Sequence, residues 1–246
     1  MTRLEPAEYH RLLHMANERM AGIDPATLTA SIPHIEGWTV HSVVGHTGWL
    51  LRYISLNLAA PATNAPPRSA VGEPPLGEEV LAWFAEGAAE VEGALAAADL
   101  DELHPSWTGP QPSSWWLRRV AHEMTMHCWD AQSAAGSPDP IDSELACDGV
   151  DEVLEVFVPN RLHFDALAGS GETIHLHATD LDHGEWLMEL LADEVRWEHG
   201  HAKGDVAARG PASDLLLLMW SRLPPSRLEV FGDASLLDRW QQAAMF

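Results

Sequence analysis

Cysteine is nearly absent from this chain. Two, Cys128 and Cys147, occur in 246 residues, and they form neither a CxxC pair nor zinc-finger spacing. That excludes a disulfide framework and reads as two reduced thiols in a cytosolic protein. Basic residues are scarce too. Fourteen Lys and Arg stand against 37 Asp and Glu, a formal net charge of −23. A surface so acidic repels nucleic-acid phosphates and anionic lipid headgroups, so neither is an expected partner. An anionic small molecule is not excluded, because one local arginine can override the global field. Long apolar runs are missing: the longest, LLLLMW at 215–220, is far too short to span a bilayer. The opening MTRLEPAEYHRLLHMANERM has no apolar signal-peptide region and reads as an amphipathic helix. The expectation is a soluble cytoplasmic protein. Tyrosine is rare, but tryptophan numbers 11 and 46% of residues are hydrophobic, enough for a real core with bulky anchors. The length allows one large or two modest domains.

What is present, first, is helical periodicity. Leu12, Leu13, Ala16 and Met20 mark a helix over 4–21, ended by Gly22 and Asp24-Pro25. Val43, His46, Leu50 and Ile54 share a stripe in a second helical segment, 36–60, with Thr39 as its N-cap. A Pro-rich loop (61–77) precedes a third helix over 78–98, and the stretch DELHPSWTGPQPSS reads as another loop. Ser113 or Ser114 caps a fourth helix reaching about Ala135, and a fifth helical stretch covers 143–162. From ALAGSG (166–171) onward the pattern changes to strand-length segments at 172–180, 184–193, 194–202 and 203–210, separated by Gly and Asp. A helix (211–223), a strand (226–232) and a last helix (233–245) close the chain. The predicted architecture is a helical bundle over 1–165 and a smaller α+β domain with a mostly antiparallel sheet over 166–246.

One stretch, AHEMTMHCWD (121–130), breaks the apolar rule. Glu123 and His127 stand four apart on a face that otherwise carries Val120, Met124, Ala131 and Ala134, and burying a carboxylate and an imidazole there is expensive without partners. Residues four apart project from one helix face, and His46 lies on the apolar stripe of the second helix. Facing helices of a bundle pool metal ligands in this way, and two imidazoles with one carboxylate leave coordination positions open, as a catalytic metal requires. The alternative is structural: Glu123 pairs with Arg119 at the surface and His127 is a core histidine. His122 points about 100° away from the stripe, and His41 lies on the far side of its helix; both read as non-ligands. Cys128 also points off that stripe. Trp115, Trp116 and Trp129 read as core, with one of them available to wall a substrate cleft. His175/His177 and His199/His201 share strand faces in pairs, but no carboxylate stands at an obvious spacing, and they read as solvent-facing or sheet-packing. Asp180-Leu-Asp-His reads as turn chemistry, and Arg196 as a solvated strand residue.

GWTVHSVVGHTGWLLRY, WWLRRVAHEMTMHCWDAQ and the segments ETIHLHATD, GEWLMEL, DVAARGPASDLLLLMWSRLP and LEVFGD together resemble the mycothiol-dependent maleylpyruvate isomerase family, over essentially the whole chain. The resemblance implies a DinB-like four-helix bundle and the family's C-terminal α+β domain. It implies a divalent metal, usually Zn2+, on His46, Glu123 and His127, with Asp130 orienting a ligand imidazole or the helix. It also implies mycothiol as thiol cosubstrate, its metal-bound thiolate attacking a small electrophile in an isomerase or S-transferase reaction. No catalytic side chain is needed if the thiol comes from outside. Arg209 and Arg222 match arginine positions of the C-terminal segment and are the weaker candidates for substrate binding. The rival expectations are a non-catalytic small-ligand-binding protein with a structural or vestigial metal, and a metal-dependent hydrolase. Monomer and dimer remain open.

Overall fold

The computed structural model describes residues 3–136, 138–160 and 167–244. It divides into two units, Glu5–Asp139 and Pro140–Phe246 together with Met1–Leu4. The boundary expected at 165/166 lies outside the described residues, and the observed division comes earlier. The helix beginning at Ser143 packs against Ala212–Met219 of the second unit. Its amphipathic pattern says that one face is buried, not which core buries it.

The first unit is a four-helix bundle of α1 (Pro6–Ala21), α2 (Val40–Leu58), α3 (Glu79–Ala97) and α4 (Ser113–Ser133). Helices α1 and α2 each pack against both α3 and α4. Leu13, Val43, Leu51, Phe84, Val91, Leu117, Val120 and Met124 fill the core, each large side chain contributing roughly 1.5–3 kcal/mol by leaving water. Thr39 caps α2 as expected. Its hydroxyl accepts from the Ser42 N–H while the Ser42 hydroxyl accepts from the Thr39 N–H, a reciprocal box that fixes the helix start. Helix α4 begins differently. Pro112 precedes it with no side-chain cap, and Ser113 is hydrogen-bonded instead to His104 Nε2 at 2.9 Å. That bond ties α4 to a short antiparallel pair, β1 (Leu103–His104) and β2 (Gln111–Pro112), within a stretch expected to be loop.

The second unit opens with α5 (Ser143–Glu152), capped by Asp142 and continued by a π-helical turn, Val153–Phe157; residues 161 and 162 of the expected helix lie outside the described residues. A five-stranded sheet follows: β3 (Glu172–Ala178), β4 (Glu185–Leu190), β5 (Val195–His199), β6 (Val206–Gly210) and β7 (Glu229–Gly232) in the order β5-β4-β3-β6-β7. Every neighbouring pair is antiparallel except β3 with β6, so the sheet is mostly antiparallel, as expected. Ile174, Leu176, Trp186, Met188, Val206 and Ala208 are buried on the face that packs α6 (Ala212–Met219); the period of two sends His175, His177 and Glu185 to the other face. Helix α7 (Ser235–Ala243) packs on α6. The turn reading of Asp180 holds: its carboxylate accepts from the Ala212 N–H at 2.9 Å and from the Ser143 hydroxyl at 2.6 Å, joining the starts of α6 and α5. Among the described residues, no helix is long and apolar enough to cross a membrane.

Candidate active site in the helical bundle

The α2 and α4 stripes meet where the sequence places His46, Glu123 and His127. One ligand atom from each lies within 4.8 Å of the other two. Glu123 Oε1 stands 3.2 Å from His127 Nε2 and 3.8 Å from His46 Nε2. The two imidazole rings are edge to face, 5.1 Å apart. The other carboxylate oxygen, Oε2, is held by the Arg119 guanidinium. Arg119 is 3% exposed and Glu123 half-buried, so the pair that the sequence allowed as a surface feature is a partly buried one. It divides the carboxylate: one oxygen neutralised by Arg119, the other turned toward two histidines.

Asp130 completes the arrangement from one turn further along α4. Its Oδ2 accepts from His127 Nδ1 at 2.9 Å, and its Oδ1 accepts from His34 Nε2 at 2.6 Å. A carboxylate can only accept, so His127 Nδ1 carries the proton and its Nε2 is the atom presented to Glu123 and His46. Burial works to lower the His127 pKa, but Asp130 and Glu123 outweigh it and raise it to about 9. Burial likewise works to raise the Glu123 pKa. The Arg119 charge and the hydrogen bonds of His127 and His46 prevail and hold that carboxyl well below the usual range. Glu123 is therefore ionised at neutral pH, the state a cation requires.

Two neighbours escaped the sequence reading. His34 and Trp38 lie in SIPHIEGW, whose last three residues fall in the expected helical segment 36–60; α2 begins only at Val40, and they form the loop before it. The loop is closed by the Ile32 N–H donating to Trp38 O, and Gly37 takes a φ of +78° that a glycine adopts without strain. Trp38 stacks on His127 at 6.4 Å and meets His46 edge-on at 5.3 Å. Two signals pointed to Trp38: it immediately precedes the Thr39 cap, and it stands in the GWTV stretch that carries the family resemblance. Of the tryptophans expected to flank the site, Trp116 and Trp129 are buried core, whereas Trp115 is half-buried and clusters with the exposed Trp107 and with Trp116.

The remaining expectations divide. His122 is buried against Tyr9 of α1, away from the trio as its helical angle demands. His41 is half-buried rather than superficial and donates to the Pro75 carbonyl at 3.1 Å, anchoring the Pro-rich loop. Cys128 lines a hollow with Arg19, Met20 and Val40 whose walls include none of the trio. In the second unit, Arg209 is exposed and paired across strands with Glu229 at 3.2 Å, which gives it a surface role. Arg222 is half-buried and donates to the Trp220 carbonyl at 3.0 Å.

Residues 10–132 match the family described as the mycothiol maleylpyruvate isomerase N-terminal domain, and residues 144–239 match its C-terminal domain. The chain belongs to the mycothiol maleylpyruvate isomerase family. Among solved structures it resembles the crystal structure of the mycothiol-dependent maleylpyruvate isomerase, with a TM-score of 0.63 at 13% identity over 91% of this chain and 93% of that one. A point variant of that isomerase gives 0.67 at 13% identity, over 94% and 95% of the two chains. These likenesses place the fold. No curated protein matches. As a maleylpyruvate isomerase-like enzyme the chain is thiol-dependent by family, and the trio lies within the N-terminal match.

Proposed function

We propose that His46, Glu123 and His127 hold a divalent ion, Zn2+ by the chemistry of the donor set, in an isomerase or S-transferase that uses mycothiol against a small electrophile. The observation that carries this reading is the divided Glu123 carboxylate. An ion pair with Arg119 alone has no need to turn Oε1 toward two imidazoles, at 3.2 and 3.8 Å. Two nitrogens and one oxygen suit zinc, and three protein ligands leave room for a substrate atom. When bound, such an ion supplies a Lewis acid that favours the deprotonated form of a thiol.

The rest is done by the chain's own residues. Arg119 keeps Glu123 charged and fixes its rotamer. Asp130 holds the Nδ1 proton of His127, so that Nε2 faces inward, and His34 occupies the second oxygen of Asp130. Trp38 packs against both imidazoles, stacked on His127 and edge-on to His46. The nucleophile comes from outside, because burial pushes the Cys128 and Cys147 thiols up to about 11 and about 12, and neither supplies a thiolate at neutral pH. Two reduced, buried thiols also suit a cytoplasmic location.

Elemental analysis of the wild type beside Glu123→Ala tests the metal. Stoichiometric metal in the first and none at this site in the second is the expected result; equal content in both overturns it. In Co2+-loaded protein, added thiol should produce a sulfur-to-metal charge-transfer band. Its absence with intact metal binding would favour the hydrolase reading, with water in place of thiol.

A further inference from the structure

The sheet carries a second convergence of ligand atoms that the bundle chemistry does not use. His175 and His177 sit two apart on β3, so both side chains leave the face opposite α6. Glu185 on β4 is the cross-strand partner of His177, which places a carboxylate beside both rings. The fourth member comes from elsewhere. His199 and His201 do not share a face: His199, the last residue of β5, approaches Asp151 at 3.2 Å, whereas His201 lies beyond the strand and reaches Glu185.

The connection explains why. Strand β6 runs parallel to β3 and on its far side from β5, so residues 200–205 must cross β4 and β3 over the sheet. That crossing is pinned at both ends. The Gly200 N–H donates to Glu185 O at 3.1 Å. Asp205 and Thr173 bond reciprocally, N–H to hydroxyl at 2.9 Å and N–H to carboxylate at 2.8 Å. Between them Gly204 lies so close that a Cβ would stand 3.0 Å from His175 N. His201 is thereby held over the β3–β4 pair.

The geometry is tight. His175 Nε2 and His201 Nδ1 approach Glu185 Oε2 at 3.1 and 2.6 Å, and His177 Nδ1 approaches Oε1 at 3.2 Å. One ligand atom from each of the four lies within 4.8 Å of the others. The three rings are nearly perpendicular in pairs, with centroids 5.4–6.2 Å apart. His175 is buried and His201 exposed, so the cluster has a dry floor and a solvent-facing door. An imidazole nitrogen can serve as a metal ligand, and here three such nitrogens converge on one carboxylate.

We infer that His175, His177, Glu185 and His201 form a second metal site, taking a borderline divalent ion such as Zn2+, Ni2+ or Cu2+. Three nitrogens with one oxygen favour these over Ca2+ and Mg2+, which require oxygen donors. Four protein ligands close a tetrahedral shell, the mark of a structural site, here fastening the crossing segment to β3 and β4.

The test is Zn2+ titration of the full-length, chelator-stripped protein, read by elemental analysis and calorimetry. The wild type should bind about two equivalents, and His201→Ala, His177→Ala and His46→Ala about one each. If wild type binds one ion that survives His46→Ala and is lost in His201→Ala, the second site stands and the bundle site does not. If His46→Ala binds none, or if His201→Ala and His177→Ala both keep the wild-type stoichiometry and affinity, the second site is overturned.

Discussion

His127 donates its Nδ1 proton to Asp130 at 2.9 Å, and Asp130 has no exposed surface. A carboxylate buried so completely is tolerable only if its lone pairs are used, and here they serve His127 on one oxygen and His34 on the other. Asp130→Asn offers one acceptor oxygen and one NH2, so one histidine meets a donor. The expected result is a metal affinity lower by about 10–100-fold, measured by competition with a chromogenic chelator. Unchanged affinity would reduce Asp130 to a packing residue.

Arg119 is the buried counter-charge of Glu123. Arg119→Met should destabilise the metal-free protein by about 3 kcal/mol, the usual scale for stranding a buried partner. Added Zn2+ should recover part of that loss, because the ion replaces the missing positive charge. Denaturant melts with and without metal measure both. Arg119→Lys should fall between, since an ammonium cannot reproduce the planar donor fork.

The two thiols give a prediction about reactivity. With burial pushing Cys128 to about 11 and Cys147 to about 12, iodoacetamide at pH 8 should label neither in the folded protein and both after denaturation. Cys128→Ser should leave mycothiol-dependent turnover largely intact. Complete loss of turnover in a folded Cys128→Ser protein would mean that the nucleophile is internal.

Asp180 makes the second unit sensitive to acid. Burial works to raise its pKa, but the Ser143 hydroxyl and the Ala212 N–H outweigh it and lower the folded value. A depressed carboxyl contributes stability that is present above the unfolded pKa of 3.8 and is lost as pH falls through the folded pKa. Asp180→Asn should therefore lower stability at pH 7, by less than about 1 kcal/mol because solvent screens this exposed residue, and leave it nearly unchanged at the acid end. Chemical denaturation across pH 2.5–7 (roughly that window) should show a shallower acid loss in the variant.

Much of the bundle site was legible because α-helical spacing is a local property. His46, Glu123 and His127 follow from two apolar stripes and a period of 3.6. Arg119 was visible as the residue four before Glu123, but its burial depends on what packs over α4. His34 was illegible, since it enters through a loop closed by its own hydrogen bonds, and Trp38 stood in the quoted GWTV stretch with nothing local to say that its ring meets two imidazoles. The sheet cluster shows the same limit. His175 and His177 announce a shared face, yet Glu185 becomes their partner through strand register and His201 through a crossover, and neither is written in local sequence. The earlier domain boundary has a similar origin: α5 carries the amphipathic pattern of a bundle helix while serving another core.

The parallel pairing of β3 with β6 also orders events in time. Strands β3, β4 and β5 form a meander whose neighbours are close in sequence, so they can pair as soon as the turns close. Strand β6 cannot join until the chain has doubled back across them, and Thr173 and Asp205, which lock that crossing, are 32 residues apart. Loop closure of that length comes at an entropic cost before its bonds repay it. The second unit should therefore fold in two kinetic steps, an early three-stranded ribbon followed by a slower docking of β6 and β7.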